Sequence, residues 1–194
     1  MTVVANLRSS LVLLAALAAA GVSHAAPATY AIDPTHTFAT FEVKHFGTST
    51  NRGRFDKTSG TVTYDAAAKT GQASITIETG SISTGTAAFE AHLKSKDFFD
   101  AEKFPQATFS STKFVFDGDK LSEVQGNLTL LGKTQPVVLK AQGFGCYENP
   151  RLKREVCGGD FSTTFQRSAF GMSYGIPFVP DDVRMTIQVE AVKQ

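Results

Sequence analysis

Apolar and polar residues alternate along most of the chain after residue 37, and this pattern limits the fold more than any other sequence feature. In the segment 37–45, apolar residues alternate with Thr40, Glu42 and Lys44. A period of two places successive side chains on opposite faces of a β-strand, so the segment predicts a half-buried strand. The same period recurs along the chain and predicts about eight strands, at 37–45, 55–64, 73–77, 107–116, 124–130, 137–141, 161–165 and 185–191.

Turn residues separate these strands at 51–53, 65–71, 117–119 and 131–134, and short loops predict antiparallel neighbours. Between the third and fourth strands, in segment 86–99, the apolar period lengthens to helical spacing, which predicts one short crossover helix. Eight antiparallel strands can close as a barrel or stack as a sandwich, and their number does not decide between the two. Inward-facing Phe residues are interleaved with Ala, Gly and Thr, as the wall of a cavity requires, although a filled core remains an alternative.

The N-terminus has the pattern of an export signal. Arg8 precedes an unbroken apolar stretch, 11–20, and Ser23 and Ala25 are small residues at the −3 and −1 positions of a cleavage site after Ala25. About ten apolar residues are too few for the roughly 20 that a membrane-spanning helix needs. We therefore expect residues 1–25 to be removed and residues 26–194 to form a single exported domain with no stable membrane insertion.

Removal of that signal leaves a chain with no net charge. It takes away Arg8, one of nineteen basic residues, and no acid, so eighteen basic residues face eighteen acidic ones. A nucleic acid or an anionic membrane face normally requires a basic surface, so neither is expected as the main partner. All sixteen Phe remain, in a chain without Trp, and they are a heavy apolar load for an otherwise polar domain.

The two cysteines predict one disulfide. Cys146 and Cys157 are too far apart in sequence for a C-x-x-C redox pair, and no His lies near either of them to complete a metal site. An oxidising compartment favours a structural bond between them across a hairpin loop. No metal site is expected elsewhere either, because His36, His45 and His92 belong to none of the usual metal-binding motifs.

Four groups of residues occur in a recognisable order. They are Ile-Asp-Pro-Thr-His-Thr at 32–37, His-Leu-Lys-Ser-Lys-Asp-Phe-Phe-Asp at 92–100, Gly-Asn-Leu-Thr-Leu-Leu-Gly at 126–132, and Arg-Ser-x-Phe-Gly at 167–171. Together they resemble the YceI-like, lipid-binding domain family over essentially the whole exported chain. Some members have Arg-Asp just before the His-Leu motif, where this chain has Phe89 and Glu90.

This resemblance implies an all-β, eight-stranded antiparallel, lipocalin-like barrel with the helix of residues 86–99 over it, exported to the bacterial periplasm. It also implies an elongated apolar cavity that holds an amphiphilic isoprenoid or related lipid, polyprenyl or quinone-like, for transport, storage or protection. No other cofactor and no catalysis are expected. An exposed mouth of the cavity would also serve as a contact in a homodimer.

Inward-facing positions supply the candidate lipid-binding residues. They are Phe41, Val43, His45, Phe55, Phe89, Leu93, Phe98, Phe109, Phe161, Phe165 and Phe170. A lining of Phe suits a ligand with few polar groups. Arg54 and Arg167 are head-group candidates, because a guanidinium can bind a phosphate through two parallel hydrogen bonds.

Two other functions compete with lipid binding. Gly171–Gly175 matches the G-x-S-x-G nucleophile elbow, which would make Ser173 the nucleophile of a hydrolase. That motif needs a strand before it and a helix after it, and Pro180 disfavours a helix there. The second alternative is a structural or stress-related protein with a filled core.

Overall fold

The computed structural model describes residues 27–194, so the predicted signal peptide and its cleavage site lie outside the described residues. Eleven strands and one α-helix form the regular structure of this part. The strands are β1 (Ala28–Ile32), β2 (Phe38–His45), β3 (Ser49–Phe55), β4 (Thr58–Asp65), β5 (Thr70–Glu78), β6 (Ile82–Ser83), β7 (Gln106–Asp117), β8 (Lys120–Leu130), β9 (Lys133–Asn149), β10 (Arg154–Gln166) and β11 (Asp182–Lys193), and the helix is α1 (Ala87–Lys94).

Eight of these strands close an antiparallel barrel, which confirms the predicted fold. Their order around the barrel is β1-β4-β5-β7-β8-β9-β10-β11, and β11 pairs back with β1. Two strands pair along the same edge of β11. Residues 184–188 pair with β2, and residues 191–193 pair with β1. The remaining strands, β3 and β6, extend the sheet beyond β2.

Two local predictions were wrong. The segment 55–64 contains the end of β3 and most of β4, separated by Asp56 and Lys57. The predicted turn at 51–53 lies inside β3, and the chain turns instead at Phe46 and Gly47, which both have positive φ. Pairing with β2 outweighs the local turn propensity of 51–53.

The helix lies where the sequence predicts a crossover, but it is shorter than 86–99. It ends at Lys94, because Ser95 has extended backbone and both its backbone N–H and its hydroxyl bond to the His92 carbonyl. The sequence did not predict β1, whose residues pair with β4 on one side and with β11 on the other. A strand this short shows too little alternation to be recognised from sequence.

Phe rings lie against glycines on the inner face of the barrel. A β-carbon at Gly53 would lie 2.6 Å from the ring of Phe41, its cross-strand partner, and one at Gly126 would lie 2.5 Å from the Phe109 ring. Each ring therefore occupies the space that a neighbouring side chain would otherwise fill. This packing explains how many Phe residues can cover the wall without filling the interior.

The two ends of the barrel differ. One end, here called the far end, carries the β4–β5, β7–β8 and β9–β10 hairpins. There the Cys146–Cys157 disulfide joins β9 to β10, with Cα atoms 4.0 Å apart, which confirms the predicted bond. The opposite end carries α1, the β2–β3 hairpin and the β10–β11 connection, 167–181.

Polar contacts brace the far end. The Tyr30 hydroxyl donates a 2.6 Å hydrogen bond to Glu155, which also pairs with Lys193 at 3.2 Å. Between two hairpins, Lys69 pairs with Asp119 at 2.7 Å. Within residues 27–194 no helix has the length and apolar character needed to span a membrane.

Candidate functional site

The interior of the barrel contains a cavity of about 540 Å³. This volume lies within the range of about 300–1,000 Å³ that is usual for pockets holding a whole small molecule. All sixteen Phe residues line it except Phe38, Phe104, Phe116 and Phe170. In the part of the chain that the structure describes, the wall includes no Asp, Glu or Lys. The barrel is therefore hollow, and its cavity is strongly apolar.

The structure places most of the predicted lining residues on this wall. These are Phe41, Val43, His45, Phe55, Phe89, Leu93, Phe98, Phe109, Phe161 and Phe165. They come from four strands, the helix and the segment after it, so the folded barrel brings together residues that are far apart in sequence.

Phe170 does not line the cavity, which corrects that prediction. Its side chain is 1% exposed and packs in a separate cluster with Ala107, Leu130 and Met172. Strand β10 ends at Gln166, and residues 167–170 form a 3₁₀ turn. The alternation of inward and outward side chains along a strand therefore no longer applies at residue 170.

Sequence reasoning missed part of the wall. Strand alternation could have identified several further residues, which include Ile75, Ile77, Phe114, Leu128, Leu139 and Ile187. It could not have identified Tyr174 or Phe178, because both lie in the β10–β11 connection, where no periodic pattern exists. Tertiary folding alone brings that connection to the end of the barrel.

Three exposed aromatic residues form a rim at the end of the cavity opposite the far end, here called the mouth. Phe46, Tyr174 and Phe178 are 59%, 52% and 66% exposed, yet all three also line the cavity. The Phe46 and Phe178 rings stack with centroids 5.9 Å apart, and the Phe46 backbone N–H bonds to the Phe178 carbonyl. The His92 ring on α1 packs edge-on against Tyr174. The rim thus links the β2–β3 hairpin, α1 and the β10–β11 connection.

Arg167 is the one cation on the described part of the wall, and it is only 2% exposed. Its three guanidinium nitrogens donate hydrogen bonds of 2.9–3.1 Å to the backbone carbonyls of Met172, Val179 and Pro180. Burial lowers the pKa of Arg167, and the nearby Asp181 carboxylate opposes that shift. The side chain therefore holds the β10–β11 connection in place over the mouth.

Arg54, the other predicted head-group residue, lies outside the barrel. Its guanidinium lies 4.3 Å from the centre of the Phe38 ring, and its Nε bonds to Asp56 at 2.7 Å. Neither Arg54 nor Phe38 lines the cavity. The position is outward because Arg54 alternates with the inward Phe55 and Gly53 on β3. This placement corrects the expectation that Arg54 reaches a ligand head group.

Glu90 has a structural environment next to the cavity-lining Phe89. Its carboxylate accepts hydrogen bonds from the backbone N–H groups of Thr84, at 2.8 Å, and Gly85, at 3.1 Å. The bond from Thr84 is the main cause of a lowered pKa for Glu90. Glu90 thus anchors the start of α1, while Phe89 lines the cavity.

The G-x-S-x-G match lies in the β10–β11 connection. Gly171 follows the 3₁₀ turn 167–170, and Ser173 is exposed in a segment of turns that leads to β11. A nucleophile elbow instead joins a strand directly to a helix. The local geometry at Ser173 is therefore not that of a hydrolase elbow.

His36 belongs to a polar turn outside the cavity. Its Nδ1 lies 2.8 Å from the Asp33 carboxylate, which also accepts hydrogen bonds from Thr35. The hydrogen bond and charge of Asp33 raise the pKa of His36. Partial burial raises the pKa of Asp33, but bonds from Thr35 and His36 outweigh it and lower the pKa overall. This turn stabilises the corner between β1 and β2.

A hollow antiparallel barrel around one apolar cavity defines a lipocalin-like class of small barrel. A family model described as a YceI-like domain matches residues 30–191. The chain is 34% identical over 187 residues to a UPF0312 protein of Pseudomonas aeruginosa, covering 96% of this chain and 97% of the relative. It is 35% identical over 173 residues to the YceI protein of Salmonella arizonae, covering 88% and 90%. The chain therefore belongs to the YceI-like family, as its motifs predict.

Solved structures with the same fold include BcnA from Burkholderia cenocepacia, with a TM-score of 0.69 and 28% identity over 82% of this chain and 99% of that one. The YceI protein of Campylobacter jejuni has a TM-score of 0.69 and 27% identity over 78% and 90%. A polyisoprenoid binding domain from Saccharophagus degradans shares the fold, with a TM-score of 0.61 and 15% identity over 85% and 98%.

Proposed function

We propose that this protein holds an isoprenoid or another long-chain amphiphilic lipid in its barrel cavity, without chemistry on the lipid. The observation that carries the proposal is the cavity of about 540 Å³, lined mainly by Phe and aliphatic residues and reached through the aromatic mouth. The YceI-like family and the polyisoprenoid binding domain of the same fold from Saccharophagus degradans support it.

The energetics favour such a ligand. Each buried methylene gains about 0.8 kcal/mol on transfer from water to an apolar environment, so an isoprene unit gains a few kcal/mol before ordering costs. An apolar wall without Asp, Glu or Lys among the described residues provides this gain along the whole length of a hydrocarbon chain. The polar end of the lipid would lie at the mouth, where Arg167 supplies the positive charge on the wall.

Release of this lipid into organic solvent tests the proposal. Purified protein is extracted and the extract analysed by mass spectrometry, and lipid-free protein is then incubated with a polyprenol and examined by native mass spectrometry. We expect an isoprenoid or long-chain lipid in the extract, or uptake of one polyprenol molecule per chain. Protein that is empty on isolation and takes up no polyprenol would exclude the carrier function.

Export to the periplasm and cleavage after Ala25 are part of the proposal. Fractionation of cells followed by N-terminal sequencing should find a mature chain beginning at Ala26 in the periplasmic fraction. We also propose a homodimer formed through the exposed rim residues. Sedimentation of the mature protein measures its mass in solution and tests this directly. A protein that stays monomeric at all concentrations would exclude the dimer, and the rim would then serve only as the mouth of the cavity.

A further inference from the structure

One residue of the cavity wall is of a type that β-strands disfavour. Asn51 is the third residue of β3, and its half-buried side chain lines the cavity. Asn is depleted in β-strands and is common in turns. Departures from local preference are expected mainly at functional or strained sites. The presence of Asn51 on an otherwise apolar wall therefore requires an explanation.

Asn51 lies just inside the aromatic rim. It is in register with Val43, which lines the cavity and comes two residues before His45 on β2. Phe46 of the rim follows His45 directly. Because cross-strand partners share one face of a sheet, the Asn51 side chain lies on the same side as that of Val43. The amide is therefore placed where the apolar cavity meets the mouth.

The Asn51 amide has accessible surface and no partner. It makes no hydrogen bond within residues 27–194, and Thr58 Oγ1 is the one fully buried side-chain oxygen or nitrogen without a partner in that range. The unbonded amide of Asn51 is therefore not fully buried. An amide carries both donors and an acceptor, so it can bond to either kind of group on a ligand that fills the cavity.

Three further polar side chains surround the mouth. His45 and Tyr174 are exposed, His92 is half-buried, and all three line the cavity. The His92 ring packs edge-on against Tyr174, with centroids 5.4 Å apart, and the His45 ring packs edge-on against Phe46 at 4.7 Å. Their side chains make no hydrogen bonds with the rest of the described chain. The mouth thus presents several hydrogen-bonding groups that the fold itself does not use.

The wall provides no free ionic partner. Among the described residues it includes no Asp, Glu or Lys, and each guanidinium nitrogen of the buried Arg167 is already bonded to a backbone carbonyl. A charged head group placed against Asn51 and Val43 would lose water without gaining an opposite charge, at a large cost in free energy. An uncharged head group loses less and gains a hydrogen bond.

We infer that Asn51 binds the head group of the lipid and that this head group is uncharged, with an alcohol, amide or carbonyl oxygen. This inference rests on the proposed function and narrows its class of ligand. The hydrocarbon chain extends from Asn51 along the apolar wall, and His45, His92 and Tyr174 surround the head group at the mouth.

Three lipids with the same branched C20 skeleton test this inference. Phytol carries a hydroxyl, phytane has no polar group, and phytyl phosphate carries a charge. Their affinities are measured by displacement of the fluorescent apolar compound N-phenyl-1-naphthylamine from lipid-free protein at pH 8, where free imidazole is neutral. We expect the wild type to bind phytol more tightly than phytyl phosphate. Asn51→Leu should weaken phytol binding about fivefold, through the loss of one net hydrogen bond, and should not weaken phytane binding.

Two variants serve as controls. Asn51→Gln keeps the amide and should retain most of the phytol affinity. Asn127→Leu makes the same change as Asn51→Leu at an exposed position outside the cavity and should alter no affinity.

The possible failures are distinguishable. Unchanged phytol affinity in Asn51→Leu, or an equal loss for phytol and phytane, would overturn the assignment of Asn51 while leaving the carrier function intact. Phytyl phosphate that binds as tightly as phytol would overturn the uncharged class of head group. Failure of all three lipids to displace the fluorophore from the wild type would refute the carrier function and this inference with it.

Discussion

The Tyr30 hydroxyl bonds to the Glu155 carboxylate at 2.6 Å and so connects the first strand of the barrel to β10, 125 residues later in the chain. The hydrogen bond from Tyr30 is the main cause of a lowered pKa for Glu155, and Lys193 adds to the effect. Burial and this bond together raise the pKa of Tyr30. The pair holds β1 and β10 together at the far end.

Tyr30→Phe should lower the free energy of unfolding by about 1 kcal/mol near neutral pH, because it removes one partly exposed bond to a carboxylate. The folded-state pKa of Glu155 is depressed, so its contribution is complete above the ordinary value of 4.5 and is lost as the pH falls through the folded-state value. Urea unfolding of both proteins at pH 7 and pH 3 measures this. A difference that is equally large at both pH values would contradict the assignment.

Reduction of Cys146–Cys157 should destabilise the barrel by about 3 kcal/mol, since the bond closes a loop of 11 residues in the unfolded chain. Urea unfolding with and without a reducing agent measures the loss. The double variant Cys146→Ser with Cys157→Ser should show the same loss and no further response to reductant. A response of that variant to reductant would show that the effect does not come from this disulfide.

Arg167→Lys should destabilise the protein by about 2–3 kcal/mol, because an ammonium cannot replace three guanidinium bonds to the carbonyls of the β10–β11 connection. Proteolysis should then cut near residues 172–180 more readily, which mass spectrometry of the fragments detects. Arg54→Lys, on the outer face, is the matched control and should change neither property. Unchanged cleavage in Arg167→Lys would show that Arg167 does not hold the β10–β11 connection in place.

Val189→Phe should fill part of the cavity and reduce the amount of bound lipid by more than half. Val189 is half-buried and lines the cavity, so the larger ring can extend into empty space at a cost of about 1 kcal/mol in stability. Thr186→Phe, on the outward face of the same strand, is the control. Lipid recovered by extraction per mole of folded protein is the measurement, and equal recovery from all three proteins would contradict a ligand in this cavity.

Phe46→Ala combined with Phe178→Ala should speed the release of bound lipid about fivefold, because the stacked pair lies at the mouth and its contact is lost. Stopped-flow transfer of a fluorescent lipid to acceptor vesicles follows the rate. Leu152→Ala removes a side chain of similar exposure, 51%, from the β9–β10 hairpin at the far end and should leave the rate unchanged. Equal acceleration by the two changes would show that the mouth is not the exit route.

Much of the site follows from local pattern. Phe41, Phe109 and Phe161 lie on strands with a clear period of two, and the sequence predicted their inward positions. Phe170 was misassigned because the strand had already ended in a 3₁₀ turn, and Arg54 because its charge, rather than its position, suggested a role. Phe178 carried no signal, since a loop residue reaches the mouth only through the packing of its connection.

The sequence by itself determined most of the strands, the presence of the crossover helix, the pairing of the two cysteines and the family, because these depend on short-range periodicity, on two residues of one kind and on ordered motifs. Tertiary structure alone decided that the interior is hollow. Alternation directs Phe41 and Phe109 inward, but whether their rings meet across the barrel or lie against its wall depends on Gly53 and Gly126 of the neighbouring strands. It also decided that Arg167 binds backbone carbonyls, because these bonds depend on atoms that only the closed barrel brings together.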